Sequence, residues 1–352
     1  MLDDHNDINS NMDSVEIKKK MSRLRHEVER EAKAERCLLC GKKVTSFANS
    51  HSIPQMILNN ISVDGKLYWM NSFIKYEEFE LDRGLRKAGT FHCICAKCDS
   101  TYFKDYENEN NLVVYPTTKV LAEIAVKNYC QMIEKRRIEI VLNNKTSEKD
   151  NSNVIITDKA KEVKHLDLRD YQSDLNISKK EVYKNRPKAF KILYWKKLNY
   201  VFPIAAQTVF TMHWDLENKI LNDIHDAPDD IKMQGIHLFI FPLKESSVVC
   251  AFFHNRDKVY NRLIHQFQPL PEEEKLSWIN YWLIANCENY FLSKNVKKEV
   301  LNNEKLRFLG EENDRVSNIG WESAFEYYTG NAYVPVKHTE IPNLLSEEYK
   351  IR

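Results

Sequence analysis

The chain has 352 residues, 52 Lys and Arg against 51 Asp and Glu, a formal charge of +1, and 43% hydrophobic residues. That composition supports a sizeable core and excludes global disorder. It leaves no whole-chain charge to draw the protein to nucleic acid or membrane, so such binding must come from a local patch. Glycine numbers only 8, with no G-x-G-x-x-G and no G-x-x-x-x-G-K-[ST], which argues against a glycine-rich nucleotide loop.

At roughly 150 residues per folding unit, the length suggests two or three units. Residues 1–13 are polar and read as a frayed leader. The first twenty residues lack the apolar segment of a secretory signal, and no run approaches the roughly 18 apolar residues of a membrane span. A cytoplasmic protein is expected, whose eight cysteines are thiols or metal ligands rather than disulfides. Residues 13–36 are charged and free of Gly and Pro. They predict a helix capped by Asp13 or Ser14, with a sparse stripe of Ile17, Met21, Leu24 and Val28 packed along an edge.

Residues 37–110 differ in character, rich in Cys and His with short strand-like runs, one of them at 44–48. Residues 116–141 predict an amphipathic helix with Val120, Leu121, Ile124, Ala125, Tyr129 and Ile133 on its apolar side. The polar run 143–152 is the best candidate for a boundary. Beyond it the pattern is mixed: a charged helix over 159–185, strands over 190–195, 200–213, 235–241 and 248–253, then helices over 257–267 and 272–292. Pro271 followed by three glutamates suits the start of the last helix. The stretch from 319 onward carries no assignment. The expected organisation is an α+β chain: a charged helix (1–36), a cysteine-rich module (37–110), a connecting helix (111–145) and a larger mixed α+β domain (146–352).

Cys37 and Cys40 form one C-x-x-C knuckle ahead of Gly41, and Cys95 and Cys98 form a second more than fifty residues later. Tetrahedral zinc, with Zn–S bonds of about 2.3 Å, needs such closely spaced sulfurs in pairs. Four buried free thiols are the bland alternative. Cys93 is an alternative to Cys95 as ligand, while Cys130, Cys250 and Cys287 fall on apolar faces and read as core.

Between the knuckles lies Ser50-His51-Ser52-Ile53-Pro54, and after the second come Asp99, Phe103, Tyr106 and Glu107. The order C-x-x-C-G, S-H-x-I-P, C-x-x-C-D, F-x-x-x-E resembles the HNH, or ββα-metal, endonucleases over residues 37–107. It looks closest to a bacterial branch with S-H-x-I-P where typical members carry D-H-x-I-P or E-H-x-I-P. The resemblance implies a zinc-stapled ββα-metal module with structural zinc on Cys37, Cys40, Cys95 and Cys98. It implies His51 as general base and Asp99 as ligand to a catalytic Mg²⁺ or Mn²⁺. The substrate implied is DNA in preference to RNA, and association with phage defence is typical of such chains. The chemistry is consistent, since a neutral imidazole deprotonates water near pH 7 and a hard cation stabilises phosphorane charge.

This sequence departs from the family at Ser50, where most members have a metal-binding acid. Either another group supplies that charge or catalysis is impaired, which leaves a rival reading: a non-catalytic zinc module that binds nucleic acid or protein. In that reading His51 is merely a hydrogen-bonded histidine and Asp99 a helix N-terminal acid. Glu107 lies eight residues from Asp99, about 12 Å on a continuous helix, so the two share an ion only if the helix breaks. Asn49 and His92 are further polar neighbours of the module.

Residues 179–197 hold eight basic residues against the single acid Glu181, interleaved with Tyr183, Phe190, Tyr194 and Trp195. Lys188, Lys191 and Lys196 are candidates for a phosphate-backbone track. The alternative is a sheet with aromatics toward a core and lysines toward water. His213, His237, His254 and His265 show no ligand spacing and read as structural. The partners expected are DNA and a protein partner or second copy, with no membrane.

Overall fold

The computed structural model of the chain describes residues 14–69, 82–147, 154–184, 186–224, 230–287, 289–310 and 335–352. The leader at 1–13, the second half of the polar run 143–152 and the stretch 319–334 therefore lie outside the described residues, as do the side chains of Ile17 and Met21. The fold is mixed α+β, as the sequence pattern implies.

Its centre is a seven-stranded antiparallel sheet. In spatial order the strands are β3 (Asp82–Gly84), β2 (Lys66–Trp69), β9 (Tyr290–Leu292), β6 (Ile204–Phe210), β7 (Ile236–Pro242), β8 (Ser247–His254) and β5 (Phe190–Leu198). Strand alternation sends Phe239, Phe241, Val248, Cys250 and Phe252 to one face and Leu238, Ile240, Val249, Ala251 and Phe253 to the other. Both faces are covered by helices, which is why β6, β7 and β8 read in sequence as continuous apolar runs.

One face packs against α5 (Thr118–Ser147), which pairs with α6 (Val154–Lys184). The other packs against α7 (Tyr260–Phe267) and α8 (Glu272–Asn286). Helix α5 is buried nearly all round, with Ala122, Ile124, Ala125, Val126, Cys130 and Ile133 at full or almost full burial. Arg136 on α5 reaches Asp167 on α6 at 2.9 Å and Glu139 at 2.5 Å. Against the cost of burial, Arg136, Lys135 and Lys164 hold the Glu139 carboxyl down to about 2. The charged helix α1 (Ser14–Glu31) buries Val28 and reaches α5 through Glu31, 2.8 Å from Lys145.

The cysteine-rich segment is packed onto this sandwich. It holds a short ribbon, β1 (Ser50–His51) antiparallel to β4 (Thr90–Phe91), with α2 (Gln55–Ile61) between them and α3 (Ala96–Tyr102) after them. Its β2 and β3 belong to the large sheet, and Ile53, Ile57 and Leu58 share a core with α5, β6 and β8. Chain from both sides of the polar run 143–152 thus builds one sheet and one core. Among the described residues no helix is long and apolar enough to cross a membrane.

Two expectations need correction. Residues 44–48 are not a strand; regular pairing begins only at Ser50, although Ala48 N donates to Ile94 O at 2.8 Å. The helix expected over 272–292 stops at Asn286, and Tyr290–Leu292 becomes β9 because it has strands to pair with on both sides, β2 and β6.

The ribbon is fixed to the sheet at one tight point. Asn289 Nδ2, next to β9, donates to Ser52 Oγ at 2.8 Å and to Gln207 O at 3.0 Å. Gly89 lies against this pair at φ +61, and a Cβ there would stand 2.5 Å from Ser52 Oγ and 3.2 Å from Asn289 Oδ1. Gly89→Ala is therefore expected to lose about 2–4 kcal/mol in chemical denaturation, adding overpacking to left-handed strain. Gly65→Ala, at φ +69 with nothing within 4 Å, should lose only the strain part, about 1 kcal/mol. Equal losses in the two variants would dismiss the joint.

Candidate metal centre and the polar cluster beside it

The first knuckle closes because Gly41 adopts φ +70, where a side chain would be strained. Its N–H then donates to Cys37 O at 2.8 Å, and Cys37 N donates to Lys42 O at 3.0 Å. The second knuckle is the start of α3, with Cys95 as N-cap and Cys98 in the first turn. Leu38 N donates to Cys93 O at 3.0 Å and locks one knuckle against the other.

The sulfurs of Cys37, Cys40, Cys95 and Cys98 consequently all lie within 4.8 Å of one another, with Cys40 and Cys95 at 4.0 Å. A ZnS₄ tetrahedron has sulfurs about 3.8 Å apart, so the set fits zinc. Cys95 N–H points at Cys37 Sγ from 3.3 Å, an outer contact of the kind that steadies a thiolate. Burial and then the neighbouring sulfurs push the Cys98 thiol up, a cost that a bound cation removes. Among the described residues no other three His, Cys, Asp or Glu side chains converge in this way. Cys93 turns away and donates to Cys130 O at 3.5 Å, and Cys130, Cys250 and Cys287 are buried in the core.

The ribbon and α3 bring Ser50 to Asp99, while His51 points to the other face of the ribbon. Ser50 and His51 are adjacent on β1 and so face opposite sides. Ser50 is buried and donates from Oγ to Asp99 Oδ1 at 2.5 Å. His51, partly buried, sets Nε2 at 3.1 Å from Leu85 O. A carbonyl only accepts, so Nε2 carries the proton, and the neutral ring keeps its lone pair at Nδ1. The remaining motif residues are scaffold: Ser52 bonds Asn289, Ile53 is fully buried and Pro54 opens α2. Asn49 donates to Arg86 O at 3.0 Å, and the His92 backbone N–H donates to Glu134.

Sequence reasoning missed Lys127. It is almost wholly buried on α5, with Nζ 2.7 Å from Glu107 Oε1, 3.8 Å from Asp99 Oδ1 and 4.2 Å from the Phe103 ring centroid. The local signal is slight, a lysine directly after the run 120–126, which is apolar but for Glu123, and a lysine buried there must find a counter-charge. Helix α3 ends at Tyr102, so Glu107 and Asp99, too far apart on one helix to share an ion, meet through this ammonium. Glu123, also buried, holds the intervening turn by accepting from Asp105 N at 3.1 Å and Tyr106 N at 2.9 Å.

The basic track is split. Lys191 bonds Asn261 Oδ1 at 2.7 Å and Lys196 pairs with Glu272 at 3.4 Å, whereas Lys188 stands apart on a loop at φ +64. Comparison with known protein families, curated proteins and solved structures found no match to the chain.

Two measurements probe the site. Elemental analysis of purified protein is expected to give about one zinc per chain, and Cys40→Ser with Cys98→Ser to remove it and lower the melting temperature. Protein that melts identically with and without these sulfurs would count against the centre. Burial pushes the Glu123 carboxyl up to about 7. A raised carboxyl is a stabilising proton site that is full below its ordinary value of 4.5 and lost as pH climbs through 7. Glu123→Gln should therefore gain melting temperature relative to the parent between pH 5 and pH 8; a parallel shift at both pH values would refute the assignment.

Proposed function

We propose that the chain is a metal-dependent endonuclease of the ββα-metal kind, hydrolysing phosphodiester bonds of DNA in preference to RNA. The observation that carries this reading is the His51 imidazole, its tautomer set by Leu85 O on one side and its Nδ1 left as base on the other. It sits on a two-stranded ribbon next to Ser50, which touches Asp99 on the helix that follows, beside the four sulfurs. In hydrolysis His51 takes a proton from water as the water oxygen bonds to phosphorus and the bond to the leaving oxygen breaks.

Asp99 suits a divalent ion in one respect. Its Oδ1 is engaged, but Oδ2 takes no hydrogen bond among the described residues, and Mg²⁺ keeps most of its waters and needs few protein ligands. When bound there, Mg²⁺ or Mn²⁺ would stabilise charge on the reacting phosphate and leaving oxygen. Ser50 orients Asp99 rather than adding a charge. The larger α+β region would select the target or contact a partner.

Lys127 favours a second reading. Its buried ammonium already supplies a positive charge to Asp99 and Glu107, as expected of a zinc-stapled module that has given up its catalytic ion and binds nucleic acid or protein. Incubation of plasmid DNA with Mn²⁺ separates the two. The nuclease reading expects cleavage that falls by about 100-fold or more in His51→Ala and in Asp99→Ala. Cleavage that persists in both variants would overturn the site, and none under any divalent ion would favour the binding module.

A further inference from the structure

At the free end of the edge pair β5–β8, two loops meet: residues 186–189 before β5 and 255–258 after β8, joined where Asn255 N donates to Ala189 O at 2.8 Å. Between them lies an open cleft of about 270 Å³, lined by Arg186, Lys188, His254, Arg256 and Lys258 with Pro187, Ala189 and Asn255. No acid lines it. Glu181, buried behind Arg186, pairs with that guanidinium, while Asp257 is buried and is not part of the wall. Lys188 and Arg256 have no acidic partner among the described residues, and Lys258 reaches only the neutral Asn255 side chain at 3.1 Å.

His254 contributes no charge to this wall. Its Nδ1 accepts the Arg256 backbone N–H at 3.2 Å, so the neutral ring carries its proton on Nε2. Nε2 is buried and has no hydrogen-bond partner. Burial also depresses the ring to about 4, which keeps it neutral near pH 7. Lys188 is moreover held at φ +64, a conformation a lysine rarely adopts.

We propose that this cleft is a phosphate-binding site, in which Lys188, Arg256 and Lys258 neutralise the oxygens of a phosphate group. Several acceptor oxygens around one centre match a guanidinium fork flanked by ammonium groups, where a single carboxylate would leave donors idle. The phosphate belongs to a nucleotide or to a nucleic-acid backbone. The inference does not depend on the hydrolase reading, because none of these residues lies at His51 or Asp99.

Zinc-loaded protein carrying His51→Ala, so that no probe is consumed, is titrated by calorimetry at low salt without added divalent ion. The probes are inorganic phosphate, adenosine 5′-monophosphate and a short single-stranded DNA without terminal phosphates. Combined Lys188→Gly and Arg256→Gln is expected to weaken binding about tenfold or more, since each removes a charge-assisted contact. Lys244→Gln, on the exposed turn between β7 and β8, should leave it unchanged. Glycine suits φ +64, so the Lys188→Gly variant should melt no lower than its parent, which separates lost binding from lost fold. Binding of phosphate and the mononucleotide identifies a soluble ligand, and binding of the oligonucleotide alone identifies a backbone phosphate. The proposal is overturned if none of the three probes binds, or if the double variant binds as its parent does.

Discussion

Two pairs of thiols fifty-five residues apart must share one small volume, and the rest of the candidate site depends on that requirement. Closing so long a loop costs conformational entropy that a short ribbon cannot recover alone. A structural zinc contributes about 10–16 kcal/mol of apparent binding free energy in small metal-dependent folds, ample for the purpose. Its consequence is directional. Cys95 and Cys98 begin α3, so fixing their sulfurs fixes the helix, and the helix carries Asp99 to Ser50 on the ribbon.

Helix α5 supplies the second constraint. Within about one and a half turns it places Glu123 under the turn that follows α3, Lys127 between Asp99 and Glu107, and Asn128 against the sheet. Asn128 accepts from Gln207 at 2.9 Å and donates toward His237 Nδ1 at 3.1 Å, and burial depresses that histidine to about 3, so it remains a neutral partner. The site is therefore seated on a rigid helix braced by a two-faced sheet, as precise placement of a base or an ion requires. The same helix introduces the competition between Lys127 and a divalent cation that separates the two functional readings.

Much of this was legible locally. Paired cysteines with a glycine after the first knuckle, proline and glutamates opening α8, and apolar runs at β6, β7 and β8 each state a short-range preference. What was not legible has a common origin. Residues 290–292 continue a helical pattern and become a strand only because β2 and β6 offer their edges. Lys188, Lys191 and Lys196 look alike in sequence, yet Asn261 and Glu272 engage the latter two and leave the first beside a cleft.

The amino-acid sequence by itself determined the ligand types, the knuckle spacing, the strand and helix periodicities and the presence of a histidine next to a serine, because these are properties of neighbours in the chain. Only the tertiary structure decided that Ser50 rather than His51 touches Asp99, that Lys127 bridges two acids, and that Arg256 and Lys258 join Lys188. Those facts depend on which distant segments are brought within a few ångströms, and the strength of charge and hydrogen-bond interactions there is set by burial, which no local pattern encodes.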